Sequence, residues 1–244
     1  EKLNISYTSW FAAAGVRYQF KPKLWMTLEL GQSLARKLSL DANNNVDAET
    51  WTPLCESLYE ASQYFAGNGV EFGSDDKNHW GSYNANTPPR DQSIENGSNY
   101  ISPFTSCNSK AYVILITDGA PTWDNGADSK ITSMSVVEDG STVTFSGSSF
   151  PVPAENNTYP YNYLASLAEW MNNHDINPNM EGDQKVETYT IGFSEGAEDA
   201  EPLLKEAARL GGGQYFKAED SNQLTAALLG ALESLEPSND SLTS

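Results

Sequence analysis

A run of apolar residues that ends in an acidic turn constrains this chain more than any other feature. Residues 112–116 read Tyr-Val-Ile-Leu-Ile, without the alternation that marks a strand with one solvent face. Such a run is typical of a strand covered on both faces, as in a parallel sheet. Thr117, Asp118 and Gly119 follow it directly. Because ligands of open α/β sheets bind beyond the carboxyl ends of strands, Asp118 is the first functional candidate, with a simple turn as the alternative.

The charge balance limits the partners that this chain can bind. Among 244 residues, 33 are Asp or Glu and 14 are Lys or Arg, which gives a formal net charge of −19. This charge repels phosphate backbones, so we expect no nucleic-acid partner. No segment approaches the roughly 20 apolar residues that cross a bilayer, so we also expect no membrane insertion. The chain begins at Glu1 without a signal-type segment and is interpreted as a mature fragment or an excised domain.

Strand and helix signals alternate along the chain, which predicts a mostly parallel α/β sheet in one domain. We assign this domain to residues 1–236, and we interpret the Pro-, Ser- and Asn-rich residues 237–244 as a linker. The predicted strands are residues 3–10, 16–20, 112–116, 186–193 and 214–218. The predicted helices are residues 24–38, 53–66, 163–171, 201–210 and 223–235.

Two further segments resemble insertions into this alternating pattern. Residues 68–108 form a long polar stretch rich in Gly, Pro, Asn and Ser, and a loop of this length in a compact domain is usually functional or mobile. Residues 134–145 contain Asp139-Gly140 between β-rich flanks, which predicts a β-hairpin.

The residues at the predicted sheet edge favour cation binding over catalysis. Thr52 begins a helix and Asp118 ends a strand, so both can direct oxygen atoms into one crevice, where a hard divalent cation would bind. The alternative for Thr52 is a helix N-cap. No GxSxG, HExxH or Walker motif occurs, and the two histidines, His79 and His174, carry no motif around them.

Four segments in the same order resemble one known family. They are TPLCESLYEASQYFAG (52–67), SPFTSCNSKAYVILITDGAPTWD (102–124), YLASLAEWMNNHDI with GDQKVETYTIGF (163–193), and LLKEAARLGGGQYFKAEDSNQLTAAL (203–228). This combination is similar to the von Willebrand factor A domain of the PilC/PilY family of type IV pilus tip-associated adhesins. The resemblance covers roughly residues 52–235.

The resemblance implies a Rossmann-like domain with helices on both faces of its sheet and a metal-ion-dependent adhesion site. In that site Thr52 and Asp118 match the family's threonine and aspartate ligands, and the cofactor is Mg²⁺ or Ca²⁺. The family's location implies a secreted or surface-exposed pilus tip, reached through the periplasm of a Gram-negative bacterium. Its partners would be pilus subunits or minor pilins and a host or abiotic surface ligand.

The remaining part of the family's metal site, a DxSxS loop, does not occur in this sequence. We interpret residues 3–10 and 16–20 as the family's second and third strands, with residues 24–38 as the next helix. The first strand and its metal loop would then lie upstream of Glu1, or the domain has a degenerate metal site. A missing central strand would leave sheet edges unpaired in the core, which buried backbone groups do not tolerate.

Three functional classes follow from these observations. The first is a non-enzymatic adhesion or pilus-biogenesis module, in which a ligand carboxylate completes the coordination of the metal. The second is a structural interaction domain with a degenerate metal site. The third and least favoured is a metal-dependent hydrolase that uses Asp118, since no positioned base or nucleophile can be assembled from the sequence.

Aromatic residues in the long polar segment are candidates for ligand contact. Trp80, Tyr83 and Tyr100 lie among flexible polar residues, a setting in which binding surfaces often place aromatic anchors. The alternative is that these aromatic side chains pin the loop onto the domain.

The two cysteines, Cys55 and Cys107, are predicted not to bond to each other. Cys55 lies one turn into a helix near the carboxyl edge of the sheet, whereas Cys107 precedes the central strand and belongs near the opposite edge. A disulfide requires Cα atoms within about 7 Å.

Overall fold

The computed structural model describes residues 16–21, 24–30, 39–40, 46–47, 52–72, 92–105, 107, 109–122, 124–138, 140–152 and 160–234, with side chains from residue 52 onward. The predicted strand at residues 3–10, the predicted linker at 237–244, and Trp80 and Tyr83 lie outside these residues.

The described elements combine thirteen strands, many of them very short, with five α-helices. The strands are β1 Val16–Lys21, β2 Leu24–Leu30, β3 Ser39–Leu40, β4 Val46–Asp47, β5 Glu95–Asn96, β6 Asn99–Tyr100, β7 Lys110–Thr117, β8 Ser135–Glu138, β9 Ser141–Thr144, β10 Phe150–Pro151, β11 Tyr161–Asn162, β12 Lys185–Phe193 and β13 Gly212–Ala218. The helices are α1 Leu54–Ala66, α2 Asp128–Ile131, α3 Leu164–Asn173, α4 Glu201–Leu210 and α5 Ser221–Ser234. Short 3₁₀ turns span Gln92–Ile94 and Glu195–Ala197.

The central sheet has five strands in the order β1-β2-β7-β12-β13. Strands β2, β7, β12 and β13 run parallel to one another, and β1 is antiparallel to β2 at one edge. The other pairs, β3-β4, β5-β6, β8-β9 and β10-β11, form separate two-stranded sheets. The mixed α/β class with a parallel sheet is therefore confirmed.

The predicted helix at residues 24–38 is wrong for its first half, because Leu24–Leu30 is a strand. Its residues pair in parallel with β7, with Met26 opposite Tyr112 and Leu30 opposite Ile116. The spacing of Leu24 and Leu28 fits one face of a helix and one face of a strand equally well, since residues i and i+4 share a face in both. Strand β7 is paired on both edges, by β2 on one side and β12 on the other, so no sheet edge is left open beside it.

Helices cover both faces of this sheet. Val113 and Leu115 of β7 belong to a buried apolar cluster with residues of α1, α3 and α4. Ile114 and Ile116 belong to a second cluster, with Ala227 and other residues of α5. Successive residues of β7 therefore enter opposite cores, which explains why its sequence lacks a polar alternation.

Glycines lie at the end of α1 and in the turn of the β8-β9 hairpin, as predicted from the sequence. Helix α1 ends at Gly67, whose φ of 72° is a left-handed conformation that favours glycine. The hairpin β8-β9 turns at Gly140, with φ of 76°, and pairs Ser135 with Thr144. The predicted hairpin is confirmed.

Candidate functional site

The structure places Thr52 and Asp118 on adjacent loops at the carboxyl edge of the sheet. Asp118 is exposed and directly follows β7, which ends at Thr117. A Cβ placed on the next residue, Gly119, would lie 3.9 Å from Thr52 Oγ1. Thr52 therefore lies beside the turn that carries Asp118, and we call this region the carboxyl-edge site and define it as Thr52, Asp118 and Gly119.

Two hydrogen bonds with Thr122 hold Thr52 in this position. The Thr52 N–H donates to Thr122 Oγ1 at 3.0 Å, and the Thr122 N–H donates to the Thr52 carbonyl at 3.3 Å. The helix N-cap is Pro53, which has no side-chain cap of its own. The alternative interpretation of Thr52 as the N-cap of α1 is thus wrong.

The loop after β12 packs against the same acidic turn. A Cβ placed on Gly196 would lie 2.3 Å from the Asp118 carbonyl oxygen, so only glycine fits this approach. Two residues earlier, Ser194 has a positive φ of 67°, which is uncommon for a residue with a side chain. The carboxyl-edge site is therefore bounded by the loops that follow β7 and β12 and by the start of α1.

The start of α1 is capped by a carboxylate that is distant in sequence. The buried Asp124 side chain accepts hydrogen bonds from the Cys55 N–H at 2.8 and 2.9 Å and from the Glu56 N–H at 3.2 Å. Its Oδ2 also accepts a 2.7 Å bond from Asn162 Nδ2 on β11. The Asp124 carboxylate thus replaces the carbonyl acceptors that the N–H groups in the first turn of a helix lack.

A second buried carboxyl group, Glu56, lies beside Asp124 on the first turn of α1. Its Oε1 accepts a 2.6 Å hydrogen bond from the Gly126 N–H, whereas its Oε2 is buried and has no partner among the described residues. Burial, followed by the negative charge of Asp124, raises the pKa of Glu56 to about 10. We call Glu56 and Asp124 the acid pair.

The proton of the acid pair belongs on Glu56 rather than on Asp124. Burial also raises the pKa of Asp124, but the hydrogen bonds that its carboxylate accepts act in the opposite direction. Asp124 has three donor groups around it, while Glu56 has one. Since hydrogen bonds to the charged form favour ionisation, Asp124 is the ionised member.

Further acidic and thiol groups surround the acid pair. Burial and the charge of Asp124 raise the pKa of Asp128 to about 6. Burial also raises the pKa of the Cys55 thiol well above its ordinary value, so Cys55 is an inert thiol rather than a reactive one. One oxygen each of Asp128 and Asn125 is buried without a described partner.

Glu56 and Asp124 were not among the residues predicted from the sequence. The available signal was indirect: a helix that begins at Pro53 without its own capping side chain needs an acceptor from another part of the chain. The segment Asp124-Asn125-Gly126, which follows the predicted central strand, contains a carboxylate that could supply this acceptor.

Tyr100 pins the base of the long polar segment to α1. Its hydroxyl donates to Glu60 Oε1 at 2.5 Å, and its ring packs edge-on against Tyr64 with centroids 5.6 Å apart. Glu60 also accepts hydrogen bonds from the backbone N–H groups of Glu71 and Phe72. A ligand-binding role for Tyr100 stays a prediction, as do those of Trp80 and Tyr83.

Both cysteines are free, which confirms that they do not bond to each other. Cys55 is buried at the start of α1, and Cys107 is exposed before β7.

Three observations limit how the site can be interpreted. Within the described residues, no group of three or more His, Cys, Asp or Glu side chains is arranged to hold a metal ion. In the same residues no helix has the length and apolar character needed to span a membrane. Thr52 and Asp118 offer a hydroxyl and a carboxylate, which are oxygen donors that suit Mg²⁺ or Ca²⁺ but provide two of the six or more ligands required.

Comparison with known proteins gives no relative: no protein-family model matches the chain, and neither a curated protein nor a solved structure matches it.

Proposed function

We propose that this chain is a non-enzymatic adhesion domain of the von Willebrand factor A type, which binds its ligand through a divalent cation at the carboxyl-edge site. The observation that carries the proposal is the proximity of Thr52 to the Asp118-Gly119 turn, on loops 66 residues apart in sequence. The resemblance to type IV pilus tip adhesins supports the same function. In this proposal the domain acts at a pilus tip on the bacterial surface.

The chemistry of the site favours binding over catalysis. Thr52 and Asp118 supply hard oxygen ligands, and Asp118 is exposed, so a carboxylate of the partner can reach a cation bound there. The partner's carboxylate and water would complete the coordination. The cation would supply charge for recognition, while the Thr122 contacts keep Thr52 in place.

A second candidate is a structural interaction domain whose metal site is degenerate. The observation that favours it is the lack of a third acidic or histidine ligand near Thr52 and Asp118 among the described residues. Such a domain would bind pilus subunits or minor pilins through protein contacts alone. Trp80 and Tyr83 stay candidate ligand contacts under either proposal.

Calorimetric titration with Mg²⁺ and Ca²⁺ tests the first proposal. We expect Asp118→Ala to abolish cation binding without loss of folding, because Asp118 is exposed and contributes little packing. Asp183→Ala is a matched control, since Asp183 is an exposed aspartate just before β12, at the opposite edge of the sheet. Attachment to surfaces should fall on chelation and recover when the cation is restored.

The same titration separates the two candidates. No measurable cation affinity in the unmodified chain, with attachment that resists chelation, would favour the interaction domain. Equal cation affinity in Asp118→Ala and the unmodified chain would show that the cation binds at another site.

A further inference from the structure

We propose that the acid pair, Glu56 and Asp124, is a proton-dependent latch: a single proton held on Glu56 fixes the first turn of α1, and its loss releases that turn together with Thr52. The latch operates whether or not a cation binds beside Asp118.

The two carboxyl groups cannot both be ionised unless a cation lies beside them; otherwise one of them must hold a proton. Glu56 is only 6% exposed and Asp124 only 3%, and both carboxyl groups lie at the start of α1. Two buried negative charges this close repel strongly, because the protein interior screens them much less than water does. In the part of the chain that the structure describes, none of the ion pairs includes either residue.

The unpartnered oxygen of Glu56 is the position for the proton. Glu56 Oε1 already accepts from the Gly126 N–H, whereas Oε2 is buried with no described partner. A proton on Oε2 would make this oxygen a hydrogen-bond donor, and Asp124 is the carboxylate with which the Glu56 side chain interacts. This arrangement satisfies both groups without a cation.

The surroundings of the pair contain no described group that could replace this proton. Helix α1 also presents the Cys55 thiol, and the start of α2 presents the Asp128 carboxyl, both of which are neutral or negative. Strand β11 contributes the uncharged amide of Asn162. Deprotonation of Glu56 therefore adds a negative charge where only negative or neutral groups face it.

The latch connects to the carboxyl-edge site through a short stretch of backbone. Asp124 holds the Cys55 and Glu56 N–H groups, and Thr122, two residues before it, holds Thr52. Repulsion between the ionised carboxylates would separate Thr122 and Asp124 from α1. Thr52 would then lose its position beside Gly119.

The sign of the pH dependence follows from the raised pKa of Glu56. The unfolded chain releases this proton near pH 4.5, whereas the folded chain retains it up to a pH of about 10. The stabilisation is complete below the lower value and is lost as the pH rises between the two values. Between pH 6.5 and 8.5, one proton released on unfolding changes the unfolding equilibrium constant tenfold per pH unit, which is about 1.4 kcal/mol.

Denaturant unfolding of the full chain across pH 6.5–8.5 tests this slope. Glu56→Gln keeps the shape of the side chain and supplies an N–H donor that does not titrate. The pH dependence of its unfolding equilibrium constant should therefore be smaller than that of the unmodified chain by a factor of about ten per pH unit. Glu60→Gln is the matched control, because Glu60 is a buried glutamate on the same helix whose oxygens accept from Tyr100 Oη and two backbone N–H groups. Glu60→Gln should change the free energy of unfolding but keep the same pH dependence as the unmodified chain.

Infrared difference spectroscopy at pH 7.5 gives a direct readout that does not require a stable variant. We expect the carbonyl band of a protonated carboxylic acid in the unmodified chain, and we expect Glu56→Gln to lack it. Absence of that band from the unmodified chain, or equal slopes in Glu56→Gln and the unmodified chain, would overturn the latch. A stability gain on adding Na⁺, Mg²⁺ or Ca²⁺ that disappears in Glu56→Gln would show instead that a cation occupies the pair.

Discussion

Replacing Asp124 by alanine would remove the carboxylate that caps α1. Three donors would lose their acceptor: the Cys55 N–H, the Glu56 N–H and the Asn162 side-chain amide. All of them lie in the buried space around Asp124, which is only 3% exposed. We therefore expect a loss of stability much larger than that of a surface substitution.

The magnitude follows from the cost of leaving buried donors unpaired. Each such donor costs about 1–3 kcal/mol, so three of them give about 3–9 kcal/mol. Water that enters the vacated space lowers this cost. We expect Asp124→Ala to reduce the free energy of unfolding by about 3–5 kcal/mol, toward the low end of that range. For a domain of this size, that corresponds to a fall in melting temperature of about 6–20 °C.

Urea unfolding and thermal melting at pH 7 measure this loss. Asp124→Asn should lose less than Asp124→Ala, because its carbonyl oxygen can still accept from the first turn of α1, although its NH₂ group would face the Asn162 donor. Asp199→Ala, at an exposed aspartate, should stay within about 0.5 kcal/mol of the unmodified chain. A loss below about 1 kcal/mol for Asp124→Ala would refute the assignment of Asp124 as the cap.

Two further pairs of substitutions test the packing beside the site and at the base of the long polar segment. Gly196→Ala should cost about 1–3 kcal/mol in urea unfolding, because the added Cβ would lie 2.3 Å from a carbonyl oxygen, whereas Gly119→Ala, with 3.9 Å to its nearest neighbour, should cost under about 1 kcal/mol. Tyr100→Phe should cost about 1–2 kcal/mol through the lost bond to Glu60, and Tyr161→Phe, at a tyrosine that is 58% exposed, should change stability by less than about 0.5 kcal/mol. Equal effects within either pair would contradict these contacts.

Most of the helices and the central strand could be predicted because their signals are local. Helix α1 carries apolar residues at helical spacing between Pro53 and Gly67, and the structure ends it at Ala66. Strand β7 has an unbroken apolar run, since both of its faces are buried. In these segments the residues that determine the structure lie within one window of sequence.

Strand β2 could not be predicted in the same way, because its sequence is compatible with two structures. Leu24, Met26, Leu28 and Leu30 alternate with Trp25, Thr27 and Glu29, and the spacing of Leu24 and Leu28 also satisfies a helical period. Pairing with β7 decides between the two, and that requirement lies more than 80 residues further along the chain. Tertiary pairing thus overrides a local pattern that favours neither structure.

The site shows the same division between local and distant information. The proximity of Thr52 to the Asp118 turn could be predicted, because each residue lies at the end of a predicted element and parallel strands bring such loops together. The acid pair could not be found, since Glu56 resembles an ordinary acidic residue in the first turn of a helix and Asp124 resembles a loop residue. Their contact joins positions 68 residues apart, and neither segment alone indicates that its carboxyl group is buried.

The two parts of the site can be perturbed separately, and this decides how a loss of binding should be interpreted. Asp118 is exposed, so its removal tests the ligand itself while leaving the fold intact. Glu56 and Asp124 are buried and hold the backbone that positions Thr52, so their removal changes geometry rather than ligand chemistry. Cation binding that is lost in Asp118→Ala at every pH, but is lost in the unmodified chain only as the pH rises, would separate the two roles. The exposed carboxylate would then be the ligand, and the buried acid pair would position the backbone around it.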